Sequence, residues 1–148
     1  MELAPLNTIF DLRYGHSLEL NSLRQVEAPL GVNFASRTLT NNGISARVLT
    51  DREPAQAGEI TVALGGNVLS SFVQPEPFVC GRDVMILAAK NPDMSLEEKL
   101  FYCYCIWENR YRFSYGRQAN RTLGELVVPA HMPDWAASMR VPTADHLT

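Results

Sequence analysis

Two rhythms divide the chain. From Thr8 to Ala89 apolar residues come in short runs broken by Gly, Asn and Pro, and beyond Pro92 they recur at helical spacing. The short runs read as strands. "TIFDLRY" stops at Gly15, and "GVNFASRTL" stops at "TNNG". "ISARVLT" follows directly, so an Asn-Gly signal between two β-like runs predicts a hairpin or tight turn. "GEITVAL" ends at "GGN", "VLSSFVQ" ends at "PEP", and "FVCGRDVMILAA" reads as the last strand of the set. Strands this short, punctuated this way, predict a curved or partly closed sheet. After Pro92, Leu96, Leu100, Cys103, Tyr104 and Trp107 fall at helical spacing and predict one main helix over about 95–110. Ser95 and Glu98 form a capping box in which hydroxyl and carboxylate each satisfy a free backbone donor. "FYCYCIW" is apolar nearly all round, which predicts deep packing. Thr122 and Glu125 repeat the capping-box spacing at the start of a shorter helical turn, and "VVPA" reads as a last strand or extended exit.

Composition narrows the class. A chain of 148 residues with 46% hydrophobic and 20% charged positions can bury one sizeable core and is not disordered. Residues 1–133 are expected to form a single domain, with 134–148 a C-terminal tail. No long apolar segment suits a membrane span, and the N-terminus lacks the basic-then-apolar pattern of a secretory signal. The cytoplasm is the expected setting. Cys80, Cys103 and Cys105 are odd in number and read as reduced core thiols. His16, His131 and His146 have no metal-ligand spacing with them, so no metal is expected. A net charge of −3 argues against a free-standing, non-specific DNA binder but not against a local basic face.

Signals for catalysis are weak. "ALGGNVLSS" has the glycines of a phosphate loop without its lysine and reads as a β-turn. No serine sits in a nucleophile elbow. Asp51, Glu53, Glu76 and Asp83 are not spaced to pair as catalytic carboxylates and read as solvated turn residues. The chain is expected to be no enzyme and to hold no cofactor.

Binding chemistry is better represented. In "YRFSYGRQANRTLGEL", Arg110, Arg112, Arg117 and Arg121 bracket Tyr115, Gln118 and Asn120. Arginine forks two hydrogen bonds onto a phosphate or a guanine edge, and Gln or Asn does the same for adenine. A structural reading competes: arginines at a helix C-terminus complement its dipole, Gly116 supplies a turn, and Asn120 caps. A second polar stretch, "SRTLTNNGISARV", places Arg37, Asn41, Asn42 and Arg47 around one turn. Turn chemistry alone accounts for Asn42 and Gly43. It accounts less well for Ser36, Arg37 and Arg47.

Taken in order, "VNFASRTLTNNGISARV", "GEITVALGGNVLSSFVQPEPFVCGRDVMIL" and "YRFSYGRQANRTLGELVVPA" resemble the target recognition domain of type I restriction–modification specificity subunits and of related fused enzymes. The resemblance spans about Phe10 to Ala130. It implies an α+β fold: a twisted, partly closed sheet with one main helix and short helices packed on it. It implies recognition of one half of a split double-stranded DNA target. The chemistry would lie in a methyltransferase subunit and a nuclease-motor subunit that use S-adenosylmethionine or ATP. Asn41, Asn42 and Gly43, and Tyr115, Gly116 and Arg117, look like motifs of that family; together with the donors read above, the expected DNA-contacting set is Arg37, Asn41, Asn42, Arg47, Arg112, Tyr115, Arg117, Gln118, Asn120 and Arg121. Full specificity subunits carry two such domains on long helical spacers. This sequence has one and no heptad-like helix after "VVPA". A half-subunit that forms a homodimer, a fragment, and a recognition module of another system all fit that difference. A protein-interaction or regulatory module that has lost DNA readout is the alternative function.

Overall fold

The apolar run Val84–Ala89 is the centre of the architecture. The structure, a computed structural model, describes residues 2–112 and 122–137. Its strands are β1 (Leu3–Pro5), β2 (Phe10–Tyr14), β3 (Arg24–Gln25), β4 (Val32–Ala35), β5 (Ile44–Leu49), β6 (Ile60–Ala63), β7 (Ser71–Val73), β8 (Phe78–Cys80), β9 (Val84–Ala89) and β10 (Val127–Pro129). Its helices are α1 (Leu96–Glu108) and α2 (Asp134–Ala137), and single 3-10 turns fill several connections. The class is α+β. Three open sheets carry it: an antiparallel ribbon β1–β10, a four-stranded sheet β2-β9-β6-β7, and a four-stranded sheet β3-β5-β4-β8.

Alternation along β9 explains how the layers stack. Met85 and Leu87 join Phe10, Ile60 and Val62 in a core closed by Phe101, Tyr102 and Ile106 of α1. Val84 and Ile86 face the other way and pack on Ala35, Phe78 and Cys80 of the second sheet. A strand covered on both faces needs apolar residues at every position, hence the unbroken "VMIL".

The predicted run "FVCGRDVMILAA" is two strands in different sheets. β8 pairs parallel with β4, whereas β9 pairs antiparallel with β2 and β6. The break is Gly81–Asp83. Asp83 takes a left-handed φ of 56°, and a side chain at Gly81 would meet the Phe34 ring at 3.1 Å. Two short elements, β1 and β3, leave no periodic signal because neither exceeds three residues.

The Ser95–Glu98 box forms as read. Ser95 Oγ accepts the Glu98 N–H at 3.1 Å, and Glu98 Oε1 accepts the Ser95 N–H at 3.2 Å. Mid-helix, the Tyr102 hydroxyl donates to the Pro129 carbonyl at 2.9 Å, and its ring meets Phe10 edge-on at 5.5 Å. The helix is thereby locked to the ribbon and the central sheet together. The Thr122 spacing does not produce a second box. Leu123–Glu125 is one 3-10 turn, and Thr122 makes no capping hydrogen bond through its side chain.

Two stability tests follow from this packing. Ile106 is fully buried under the central sheet, so Ile106→Ala should cost about 2–5 kcal/mol in denaturant unfolding. Gly31 has φ +69°, and a Cβ there would lie 2.2 Å from the Val48 carbonyl oxygen. Gly31→Ala should therefore destabilise by more than about 1 kcal/mol, the cost exceeding any gain from a stiffer unfolded chain.

Candidate nucleic-acid interface

The connection from β4 to β5 holds three of the expected DNA contacts. Asn41, Asn42 and Gly43 adopt φ values of 52°, 57° and 77°, a left-handed run that Asn and Gly tolerate best. Asn42 is occupied internally. Its Nδ2 donates to the Val73 carbonyl at 3.0 Å, and Gln74 Nε2 donates back to the Asn42 carbonyl at 2.9 Å. These two bonds fasten the hairpin loop to the edge strand β7. Asn41 is exposed, with its amide donating to the Ile44 carbonyl at 3.1 Å.

Arg47 and Arg37 differ sharply. Arg47 donates through Nε to the Leu30 carbonyl, through Nη2 to the Gly31 carbonyl at 3.0 Å, and through Nη1 to Asn33 Oδ1 at 3.1 Å. The Glu76 carboxylate lies 3.8 Å away, and only 21% of the Arg47 side chain is exposed. A guanidinium committed to that many fixed acceptors holds the turn before β4 in place. Arg37 is 41% exposed and has one charged partner, Asp83 Oδ2, at 3.3 Å from Nη1.

Three loops meet at Arg37. Asn67, in the β6–β7 loop, donates its amide to the Arg37 carbonyl at 3.1 Å. Asp83, in the β8–β9 loop, takes the guanidinium and gives its own carbonyl to the Leu64 N–H at 2.7 Å. The Gly81 N–H reaches the Ala35 carbonyl at 2.8 Å. Gly66, Leu69 and Asp83 all take left-handed φ values, of 62°, 65° and 56°. For a buried leucine that conformation is strained, and the fixed bond from its N–H to the Ala63 carbonyl at 2.8 Å holds it there. Strain of this kind persists only where the surroundings over-determine it, and it concentrates at functional sites.

Of the polar cluster from Arg110 to Arg121, Arg110 is seen in full. Its guanidinium lies 4.2 Å from the Trp107 ring centre and 4.3 Å from that of Tyr111, and Nη1 donates to the Trp107 carbonyl at 3.1 Å. It closes the C-terminus of α1, the structural role that competed for this arginine. Arg112 contributes its backbone to the 3-10 turn Arg110–Arg112. The Arg112 side chain and Tyr115, Arg117, Gln118, Asn120 and Arg121 lie outside the described residues.

Asn67 and Asp83 are the polar groups that sequence reasoning set aside as turn residues. Their one signal was a Gly beside a polar tip, in "GGN" and "GRD". What brings the tips together is the strand order β9-β6-β7, which no local pattern encodes.

A cleft of about 500 Å³ opens elsewhere, lined by Arg13, Glu59, Asn91 and Lys99 among others. Two of its charged side chains pair with each other and a third is held by main chain. Arg13 grips Glu59 with two hydrogen bonds, at 2.6 and 3.1 Å, and Lys99 Nζ donates to the Gly58 carbonyl at 2.9 Å. The thiols offer no ready nucleophile. Burial pushes Cys80 up to about 12 and Cys105 up to about 11, and drives Cys103 further the same way. Among the described residues no three His, Cys, Asp or Glu side chains gather as a metal site.

Mutation should separate the two arginines of the hairpin. Arg47→Ala removes three charge-assisted hydrogen bonds, two of them part-buried, and should lower the unfolding free energy by about 1–3 kcal/mol. Arg37→Ala should lie within about 1 kcal/mol of wild type, because an exposed ion pair contributes little. The Arg13–Glu59 pair sets an acid dependence. Burial, the largest single influence on Glu59, would raise its pKa, but the bonds from Arg13 and the Gln56 N–H outweigh it and leave the carboxyl below its ordinary 4.5. The stabilisation is then full above about 4.5 and is lost as pH falls through the lower folded value. Acid titration of Glu59→Gln should lack that component of the wild-type loss.

No protein-family model and no curated protein matches this sequence. Solved structures do match in fold. The type I restriction–modification system S subunit from M. genitalium aligns at a TM-score of 0.63 and 16% identity over 86% of this chain and 33% of that one. The HsdS subunit from Thermoanaerobacter tengcongensis aligns at 0.63 and 14%, over 86% and 33%. A chain from a structure of type I R-M system assembly and conformational transition aligns at 0.67 and 13%, over 93% and 35%. This chain thus spans about a third of the length of the S-subunit structures it matches, and it shares their fold.

Proposed function

We propose that the chain is a non-catalytic module that reads one half of a split duplex DNA target within a restriction–modification assembly. The observation that carries this reading is the extent of the shared fold. It takes in 86–93% of the chain and corresponds to about a third of an S subunit. The three-loop junction at Arg37 is consistent with it, since base edges are read by side chains on loops that a rigid scaffold holds. A methyltransferase subunit, and a nuclease-motor subunit beside it, are the partners the reading implies. Arg37, Asn41, Arg112, Tyr115, Arg117, Gln118, Asn120 and Arg121 remain the proposed contacts. Asn42 and Arg47 act behind them, one docking the loop and one bracing the hairpin.

One observation favours a second reading, a protein-interaction module without DNA readout. Arg13, Arg37, Arg47, Arg82 and Lys90 each stand within 4 Å of a carboxylate, in a chain of net charge −3. Such a module would co-purify with a protein partner and ignore duplex DNA at low salt.

Selection from random duplexes at low salt, with and without a methyltransferase subunit, decides between them. Enrichment of one short motif is expected. No preference under either condition would falsify the DNA reading. On the enriched duplex, Arg117→Ala should weaken binding to all sequences and flatten the salt dependence by about one counterion. Gln118→Ala should cost roughly 1–3 kcal/mol on the preferred duplex alone.

A further inference from the structure

We infer that Arg37, Asn67 and Asp83 form a base-reading triad in which Asp83 restrains Arg37 until a matching base pair replaces it. This rests on the DNA reading proposed above and names the side chains that would supply its specificity.

Geometry comes first. Each residue sits in a different connection between strands, and all three are at least partly exposed. Main chain fixes Asp83 to the β6–β7 loop, and one N–H of the Asn67 amide ties that loop to the Arg37 backbone. Asp83 gives its carbonyl to Leu64, Asn67 gives its carbonyl to the Ser70 N–H at 3.0 Å, and Arg37 gives its carbonyl to Asn67. The side chains are therefore presented on backbone held by left-handed residues and hydrogen bonds, at little further cost in ordering.

Chemistry narrows the ligand. Arg37 is a two-pronged donor suited to the O6 and N7 of guanine. Asp83 is an acceptor suited to the N4 amino group of the paired cytosine. Asn67 keeps its Oδ1 and one N–H, the donor–acceptor couple that adenine takes. A bare phosphate would not select this set, because Asp83 repels it and neutralises the arginine beside it. The ion pair at 3.3 Å is long for a charge-assisted bond and 37–41% exposed at its two ends, so exchanging it costs little. A G·C pair offers both partners at once: an acceptor edge for Arg37 and a donor for Asp83. Random sequence or backbone offers one and leaves the other charge desolvated and unmatched, which penalises binding.

The triad makes a prediction that a purely structural junction does not. Asp83→Asn keeps the size of the side chain and its tolerance of left-handed backbone but removes the charge. Wild type, Asp83→Asn and Asn67→Ala would each be taken through duplex selection, then titrated against the wild-type motif and a random duplex at two salt concentrations. Thermal melting confirms folding. For Asp83→Asn, binding to random duplex should rise severalfold, because the freed Arg37 gains a phosphate. The ratio of preferred to random binding should fall about 10-fold or more. Asn67→Ala should relax the motif at one position and reduce the same ratio. If both variants fold, select the wild-type motif and keep the wild-type ratio, the triad is overturned while the DNA reading stands. If wild type selects no motif, the DNA reading itself fails and takes the triad with it.

Discussion

Covering both faces of β9 is the constraint on which the rest depends. The strand has no solvent side, so one layer must be supplied by α1 and the other by the second sheet. That demand sets the chain path. After β8 the backbone must turn through Gly81–Asp83 to change sheets, and the turn leaves Asp83 in a left-handed corner beside Arg37. The exposed polar junction is thus a by-product of burying a strand that is apolar on both faces. Stability and surface chemistry share a few residues, and the tension between them shows in the strained backbone at Leu69 and Asp83.

Much of this was legible from residue order, and the failures have physical causes. The helix was readable because capping and periodicity are local, and the Ser95–Glu98 box formed with both of its bonds. The β4–β5 hairpin was readable because Asn-Asn-Gly is a conformational signal in its own right. "FVCGRDVMILAA" misled because a buried strand of either sheet looks equally apolar. Thr122 and Glu125 misled because spacing alone does not place a hydroxyl over a helix end, and no helix continues there. For the site, sequence identified the hairpin but not what its side chains touch. Arg37 and Arg47 sit on one hairpin, yet one faces outward and the other closes on the Leu30 and Gly31 carbonyls. That difference is decided by the loop before β4, far from either residue's own neighbours.

The pairing of cations with carboxylates bears on how such a surface could tell one polyanion from another. Four of the described arginines are matched to carboxylates within the molecule, which weakens their own long-range pull on a polyanion. A surface of this kind depends on short-range exchange of partners, which rewards fit over charge.

The ribbon β1–β10 has a further consequence. Leu3 lies opposite Pro129 and Pro5 opposite Val127, and the ladder extends through the Ala130 N–H to the Glu2 carbonyl at 2.9 Å and the Leu6 N–H to the Leu126 carbonyl at 2.8 Å. The segments that lead into and out of the intervening strands and helix therefore run side by side. A unit joined through two adjacent strands can be spliced into a longer chain at a single point without altering the host's path. Such a unit can then be exchanged whole while the path of the chain that carries it stays the same.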